Sequence, residues 1–202
     1  MKVGIAGGIG SGKSYVAQKL ALRGIKVYDC DAAAKRLMRE SDVLRQQLTA
    51  LIGADCYVAP ACTGAPSVDV STLPRLNKAA VSRFLLASEH NQQAINDIVH
   101  PAVFADFMQS GLQWMESAIM YESGADHYVD QVIVVTAPDE VRLQRIVRRD
   151  GITRSQAQEW INRQWPQDEV RLRADYEIVN DGVADIDNQL NIILHQLCNK
   201  QF

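Results

Sequence analysis

Residues 7 to 14 read Gly-Gly-Ile-Gly-Ser-Gly-Lys-Ser, and no other stretch constrains the chain so tightly. The spacing G-x-x-x-x-G-K-[ST] is that of a loop that cradles phosphates. Glycines let the backbone curl so that successive N–H groups face an anion. Lys13 is expected on the β- and γ-phosphates of a nucleotide as a point charge, and the Ser14 hydroxyl at a Mg²⁺ position. The helix that follows aims its positive N-terminal end at the same place. The nucleotide-binding stretch is therefore Gly8, Ile9, Gly10, Ser11, Gly12, Lys13, Ser14 and Tyr15.

A glycine turn with an incidental Lys-Ser matches the same pattern, so the surroundings decide. Val3-Gly4-Ile5-Ala6 is a short apolar run suited to a buried parallel strand. Val16, Leu20 and Ala21 recur at helical spacing, and Gly24 closes the segment. Strand, glycine loop and helix is the context that the chemistry requires.

The chain has 202 residues, enough for one α/β domain with insertions. Its net charge of −3 argues against general binding to nucleic acid or a membrane surface. The cysteines Cys30, Cys56, Cys62 and Cys198 form no C-x-x-C pair, so neither a disulfide framework nor a zinc site is expected, and a reducing interior is. The chain goes from Met1-Lys2 straight into its first strand, and no apolar run approaches the length of a membrane span. A soluble cytoplasmic protein with no obligatory protein partner is expected.

Ile25-Lys26-Val27-Tyr28 reads as a second strand, ending in Asp29-Cys30-Asp31. Ligands of open α/β sheets bind beyond such strand ends. Asp29 and Asp31 address one site if the strand continues, and Asp31 caps the next helix if it does not. The stretch from about Gly53 to Pro74 reads as a long loop. From about Leu76 to Trp114 the pattern is helical without a strand, an inserted subdomain that His100-Pro101 is expected to interrupt. A histidine there caps a helix or bonds a ligand.

Ser117–Tyr121 then reads as a third strand, and Gln131–Thr136, short and β-branched, as a central one. Thr136-Ala137-Pro138-Asp139 reads as a helix start with a hydroxyl cap. The helix after it carries Arg142, Arg145 and Arg149 on one face. These arginines form either a solvated charged face or a clamp on phosphoryl oxygens. Thr153-x-x-Gln156 resembles a capping box. Tyr176–Val179 reads as a fifth strand, and an amphipathic helix with Ile186, Leu190, Ile193, Leu194 and Leu197 closes the chain. The alternation specifies a parallel sheet of about five strands with helices on both faces.

A GTPase-type switch needs Asp-x-x-Gly and Asn-Lys-x-Asp, and both are absent. A motor ATPase needs a hydrophobic run ending in Asp-Glu, also absent. A small-molecule kinase needs a phosphate loop, an acid near the second strand's end, a helical acceptor insertion and an arginine-bearing lid, and each has a candidate. A kinase for another small acceptor, such as a nucleotide or sugar, and a non-catalytic ATP-binding regulatory module are the alternatives.

The ordered motifs resemble the dephospho-coenzyme A kinase family along nearly the whole chain. They are Gly7 through Ser14; Gly24, Val27, Asp29, Cys30 and Asp31; His100-Pro101; Ala118–Glu122; Arg145, Arg149 and Asp150; Gln164; and Ala174-Asp175, Ile178, Asn180 and Gly182. Departures include Ala118 for a proline, Cys30 for an alanine, Asn77-Lys78 for Asp-Arg, and Val170 for a basic residue. The resemblance implies a three-layer P-loop kinase fold in one domain, 1–202, with a helical acceptor-binding insertion at 60–114 and a lid at 138–170. It implies transfer of the ATP γ-phosphoryl group, with Mg²⁺, to the 3′-hydroxyl of dephospho-CoA. Asp31 is then the general base, with Lys13, Arg145 and Arg149 acting on the transferring group. Asp29 supports the base or holds Mg²⁺ through water. Asp29, His100 and Glu122 fall on the acceptor side, and Asn180 near the adenine.

Overall fold

The computed structural model describes residues 1–59 and 73–200; Cys62 and the middle of the irregular stretch lie outside the described residues. In chain order the elements are β1 (Val3–Ala6), α1 (Lys13–Ala21), β2 (Val27–Asp29), α2 (Cys30–Glu40), α3 (Asp42–Ile52), β3 (Tyr57–Val58) and β4 (Arg75–Leu76). There follow α4 (Lys78–Ala87), α5 (Glu89–Ser110), β5 (Trp114–Ser117), β6 (Gln131–Thr136), α6 (Asp139–Asp150), α7 (Arg154–Asn162), α8 (Gln167–Arg173), β7 (Tyr176–Val179) and α9 (Ile186–Asn199). Two compact units result: Met1–Cys30 with Ser110–Phe202, and Asp31–Gln109.

The first unit holds a five-stranded sheet in the order β2-β5-β1-β6-β7, with every neighbouring pair parallel. The register sets Ala6 opposite Ser117 and Val134, Asp29 opposite Glu116, and Thr136 opposite Val179. The loops after all five strands therefore leave the same edge, where ligands of such sheets bind. On one face Val3, Ile5, Ile133, Val135 and Ile178 pack against Val16 and Leu20 of α1 and against Ile186, Leu190, Ile193 and Leu197 of α9. Full burial of such a side chain contributes about 1.5–3 kcal/mol. Asp187 ties α9 to α1 through Lys19 at 2.6 Å and Arg23 at 2.7 Å.

The strand expected at Ser117–Tyr121 lies three residues earlier, at Trp114–Ser117. Beyond it the chain turns: Ser117 Oγ accepts from the Ile119 amide at 3.2 Å, and the Ser123 amide donates to the Ile119 carbonyl at 2.9 Å. Thr136 does not cap α6. It ends β6 and donates its hydroxyl to Glu177 Oε1 at 2.7 Å, leaving Pro138 at the cap position. The capping box of Thr153 and Gln156 is present at the start of α7.

The described residues of the second unit are mainly helical, with one antiparallel strand pair in which Tyr57 faces Leu76 and Val58 faces Arg75. Arg36 of α2 pairs with Asp106 of α5 at 2.5 Å, and the Tyr57 hydroxyl donates to the Met38 carbonyl at 2.7 Å. Val99, Val103, Phe104 and Phe107 supply α5's buried side chains. Pro101 does not interrupt the helix but lies inside α5, whose backbone forgoes one hydrogen bond there. Among the described residues, no helix is long and apolar enough to cross a membrane.

Candidate active site

The glycine loop leaves the end of β1 in the middle of the sheet and runs directly into α1. Gly12, the residue before the helix, is left-handed at φ 99°, and Gly10 has φ 80°. Alternating handedness of this kind makes a concave row of N–H groups. Among the described residues, no side chain caps the N-terminus of α1. First-turn amides of such a helix end are the usual seat of an anion. Lys13 Nζ lies at the loop, donating to the Gly7 carbonyl at 2.6 Å.

The loop is buttressed from behind. Arg142 Nε donates to the Ile9 carbonyl at 3.0 Å. Arg145 Nη1 donates to the Gly10 and Ser11 carbonyls, each at 3.2 Å. Asn180 Nδ2 donates to the Ser11 carbonyl at 2.8 Å, and Arg145 Nη2 to the Asn180 carbonyl at 3.0 Å. Gln164 Oε1 accepts from the Ile9 amide at 2.7 Å. These contacts explain the glycines: a Cβ on Gly10 would stand 2.8 Å from the Arg142 carbonyl oxygen, and one on Gly12 would stand 2.0 Å from Asn180 Nδ2.

Arg142 is 3% exposed, and burial holds its guanidinium below the usual arginine range, offset by Asp139 at 3.0 Å. Arg149, on the same expected face, is exposed and bonds its neighbour Asp150, with Nη2 to Oδ2 at 2.8 Å. The helix thus turns Arg142 and Arg145 to the loop and Arg149 to Asp150. Spacing identified the shared face, while depth of burial along it has no local sequence signal.

Glu122 lines a small cavity with Gly7, Gly8, Arg142 and Gln164, and its Oε1 accepts from the Trp165 amide at 3.1 Å. Gln164 Nε2 donates to the Ala118 carbonyl at 3.0 Å. Trp165 stacks on Tyr121 with ring centroids 6.4 Å apart, and burial pushes the Tyr121 hydroxyl up to about 12. Asp29 is exposed at the end of β2, and Tyr15 is 47% exposed in α1. Asp31, in the first turn of α2, and His100, in α5, belong to the other compact unit. Burial holds the His100 imidazole below its ordinary 6.5. The motif set included Gln164 without a role, and Arg142 stood out only as one arginine of three.

The loop fits a nucleotide's phosphates: its backbone is concave, its lysine is in place, and the buried Ser11 hydroxyl has no hydrogen-bond partner among the described residues. Ser14 is exposed at the start of α1, and no cluster of three His, Cys, Asp or Glu side chains that could hold a metal occurs among the described residues. A single hydroxyl suits an ion that keeps most of its waters and takes phosphate oxygens, as Mg²⁺ does.

Comparison with known proteins adds the decisive observation. The family profile described as dephospho-CoA kinase matches residues 1–185. The chain belongs to the dephospho-CoA kinase family. A dephospho-CoA kinase of Bacteroides fragilis is 34% identical over 213 aligned residues, covering 98% of this chain and 97% of the relative. That of Porphyromonas gingivalis is 37% identical over 185 residues, covering 88% and 85%. The solved structure of TT1252 from Thermus thermophilus superimposes with a TM-score of 0.77 at 27% identity, covering 98% of this chain and 97% of that one. Dephospho-CoA kinase from Campylobacter jejuni, with a TM-score of 0.62 at 17% identity over the whole of both chains, shares the fold. Family membership and these structures agree with the expected P-loop kinase fold.

Proposed function

We infer that this chain transfers the γ-phosphoryl group of ATP to the 3′-hydroxyl of dephospho-CoA, giving coenzyme A and ADP. The observation that carries this is the family match over residues 1–185, which spans both compact units as well as the loop. Supporting it, the loop has the backbone and lysine that a nucleotide's phosphates require.

Phosphoryl transfer leaves little covalent work to the protein, so catalysis rests on positioning and charge. The loop from Gly8 to Tyr15, with Lys13, holds the phosphates, and Ser14 would hold Mg²⁺. When bound, the ion would supply positive charge against the charge that develops on the phosphoryl oxygens. Asp31 accepts the 3′-hydroxyl proton, a contribution of about 10²–10⁴ in rate. Asp29 supports Asp31, and His100 and Glu122 contribute to the acceptor side. Arg149 exchanges its Asp150 partner for a phosphoryl oxygen when the lid, 138–170, closes. Arg145 supports the same transfer from the loop's outer side, and Asn180 lies by the adenine. The insertion at 60–114 contributes acceptor contacts. The reaction needs no nucleic acid, membrane or further protein, and belongs in the cytoplasm.

Purified protein with Mg-ATP is expected to convert dephospho-CoA and release ADP. Turnover of a sugar or nucleoside monophosphate with none of dephospho-CoA would overturn this reading.

A further inference from the structure

Three successive carbonyls of the glycine loop, those of Ile9, Gly10 and Ser11, are held by side chains outside the loop. Arg142 takes the first, Arg145 the second, and Arg145 with Asn180 the third. A trans peptide is planar, so fixing a carbonyl on one side turns the next N–H to the other. Holding the Ile9 and Ser11 carbonyls therefore directs the Gly10 and Gly12 amides away from α6. The Ser11 amide closes a turn on the Gly8 carbonyl at 3.1 Å.

We propose that Arg142 is a positioning residue that preorganises this loop for a nucleotide's phosphates, acting through the Ile9 peptide. The Ser11 carbonyl has two donors, whereas Arg142 is the one described donor to the Ile9 carbonyl. The arginine fork suits the task. Nε holds the loop while Nη1 holds Asp139 in the first turn of the same helix. A lysine is a single point of charge and cannot make both contacts in fixed geometry. Close packing adds to the constraint, since a Cβ on Gly8 would stand 2.4 Å from Arg142 Nη2. The readiness of the cradle is thus set by α6, the first helix of the proposed lid.

The inference rests on the nucleotide reading above for the identity of the ligand. Its test uses Arg142→Met, which leaves Asp139, itself 64% exposed at its side chain, in contact with water. Arg142→Lys and Asp139→Asn serve as companions. In nucleotide-free protein, amide hydrogen exchange of the segment 7–12 is expected to accelerate about tenfold in Arg142→Met, with β6 and α9 unchanged, from loss of a charge-assisted bond. Calorimetry is expected to show Mg-ADP binding weakened about tenfold, and the KM for ATP is expected to rise alike while the KM for dephospho-CoA stays within about twofold. Arg142→Lys should fail to restore the loop, and Asp139→Asn should loosen it by a smaller factor. Unchanged exchange and ADP affinity in Arg142→Met would overturn the proposal. So would equal losses across the sheet and for both substrates, which mark a general structural role. Failure of the unaltered protein to bind Mg-ADP would instead count against the nucleotide reading, since the exchange measurement needs no nucleotide.

Discussion

Gln164 and Ile9, 155 residues apart, are joined by a hydrogen bond of 2.7 Å from the Ile9 amide to the Gln164 side-chain oxygen. The other end of the same carboxamide donates to the Ala118 carbonyl at 3.0 Å. One side chain between α7 and α8 thereby links the loops that follow β1 and β5. A carboxamide is suited to this, because it accepts at one end and donates at the other.

Gln164→Glu should be more damaging than Gln164→Ala. The carboxylate can still accept from Ile9, but it cannot donate to Ala118, and it brings negative charge to an anion site. The KM for ATP is expected to rise about tenfold or more in Gln164→Glu at neutral pH, and less in Gln164→Ala, as steady-state kinetics would show.

Gly12→Ala is expected to destabilise the fold and to abolish measurable ADP binding. The left-handed backbone at φ 99° costs about 1–2 kcal/mol with a side chain. The new methyl also collides with Asn180 Nδ2, displacing a buried side chain from the Ser11 carbonyl. Denaturant unfolding and calorimetry measure the two effects. Adding Asn180→Gly should relieve the collision but leave the backbone cost.

Much of this arrangement is legible in the sequence, because a glycine loop between a strand and a helix is local chemistry. The five-stranded parallel sheet follows from the alternation of strands and helices, and the family from the ordered motifs. What escaped is non-local. Ala118–Tyr121 is as apolar as a strand, yet the pairing belongs to Trp114–Ser117, which includes the buried carboxylate of Glu116. Pro101 punctuates the sequence but not the helix, since α5 tolerates one missing bond. Arg142, Arg145 and Arg149 share a face by spacing, but only the folded chain distinguishes a 3% exposed arginine from one bonded to its neighbour.

Lys13 and Asp31 should fail in different ways. Lys13→Ala removes a charge from the phosphates and is expected to weaken ADP binding and turnover together. Asp31→Asn is expected to leave ADP affinity near normal while cutting kcat by about two orders of magnitude. Near-normal turnover of Asp31→Asn would remove this residue from the base role.

His100 should make stability depend on pH. Burial holds its folded pKa below the ordinary 6.5, against a smaller opposing effect of Asp97. The unfolded chain therefore binds the proton more readily, and its contribution to stability is lost as pH falls below about 6.5. Urea midpoints between about pH 5 and 7.5 should fall less steeply in His100→Asn than in the unaltered chain.

Phosphoryl transfer to the ribose 3′-hydroxyl is tested most directly by phosphorus NMR and mass analysis of the product formed from Mg-ATP and dephospho-CoA. The expected result is coenzyme A, carrying a new phosphomonoester on the ribose 3′-oxygen, with one ADP released for each. ADP released without phosphorylation of dephospho-CoA, or a phosphate at another position, would contradict it.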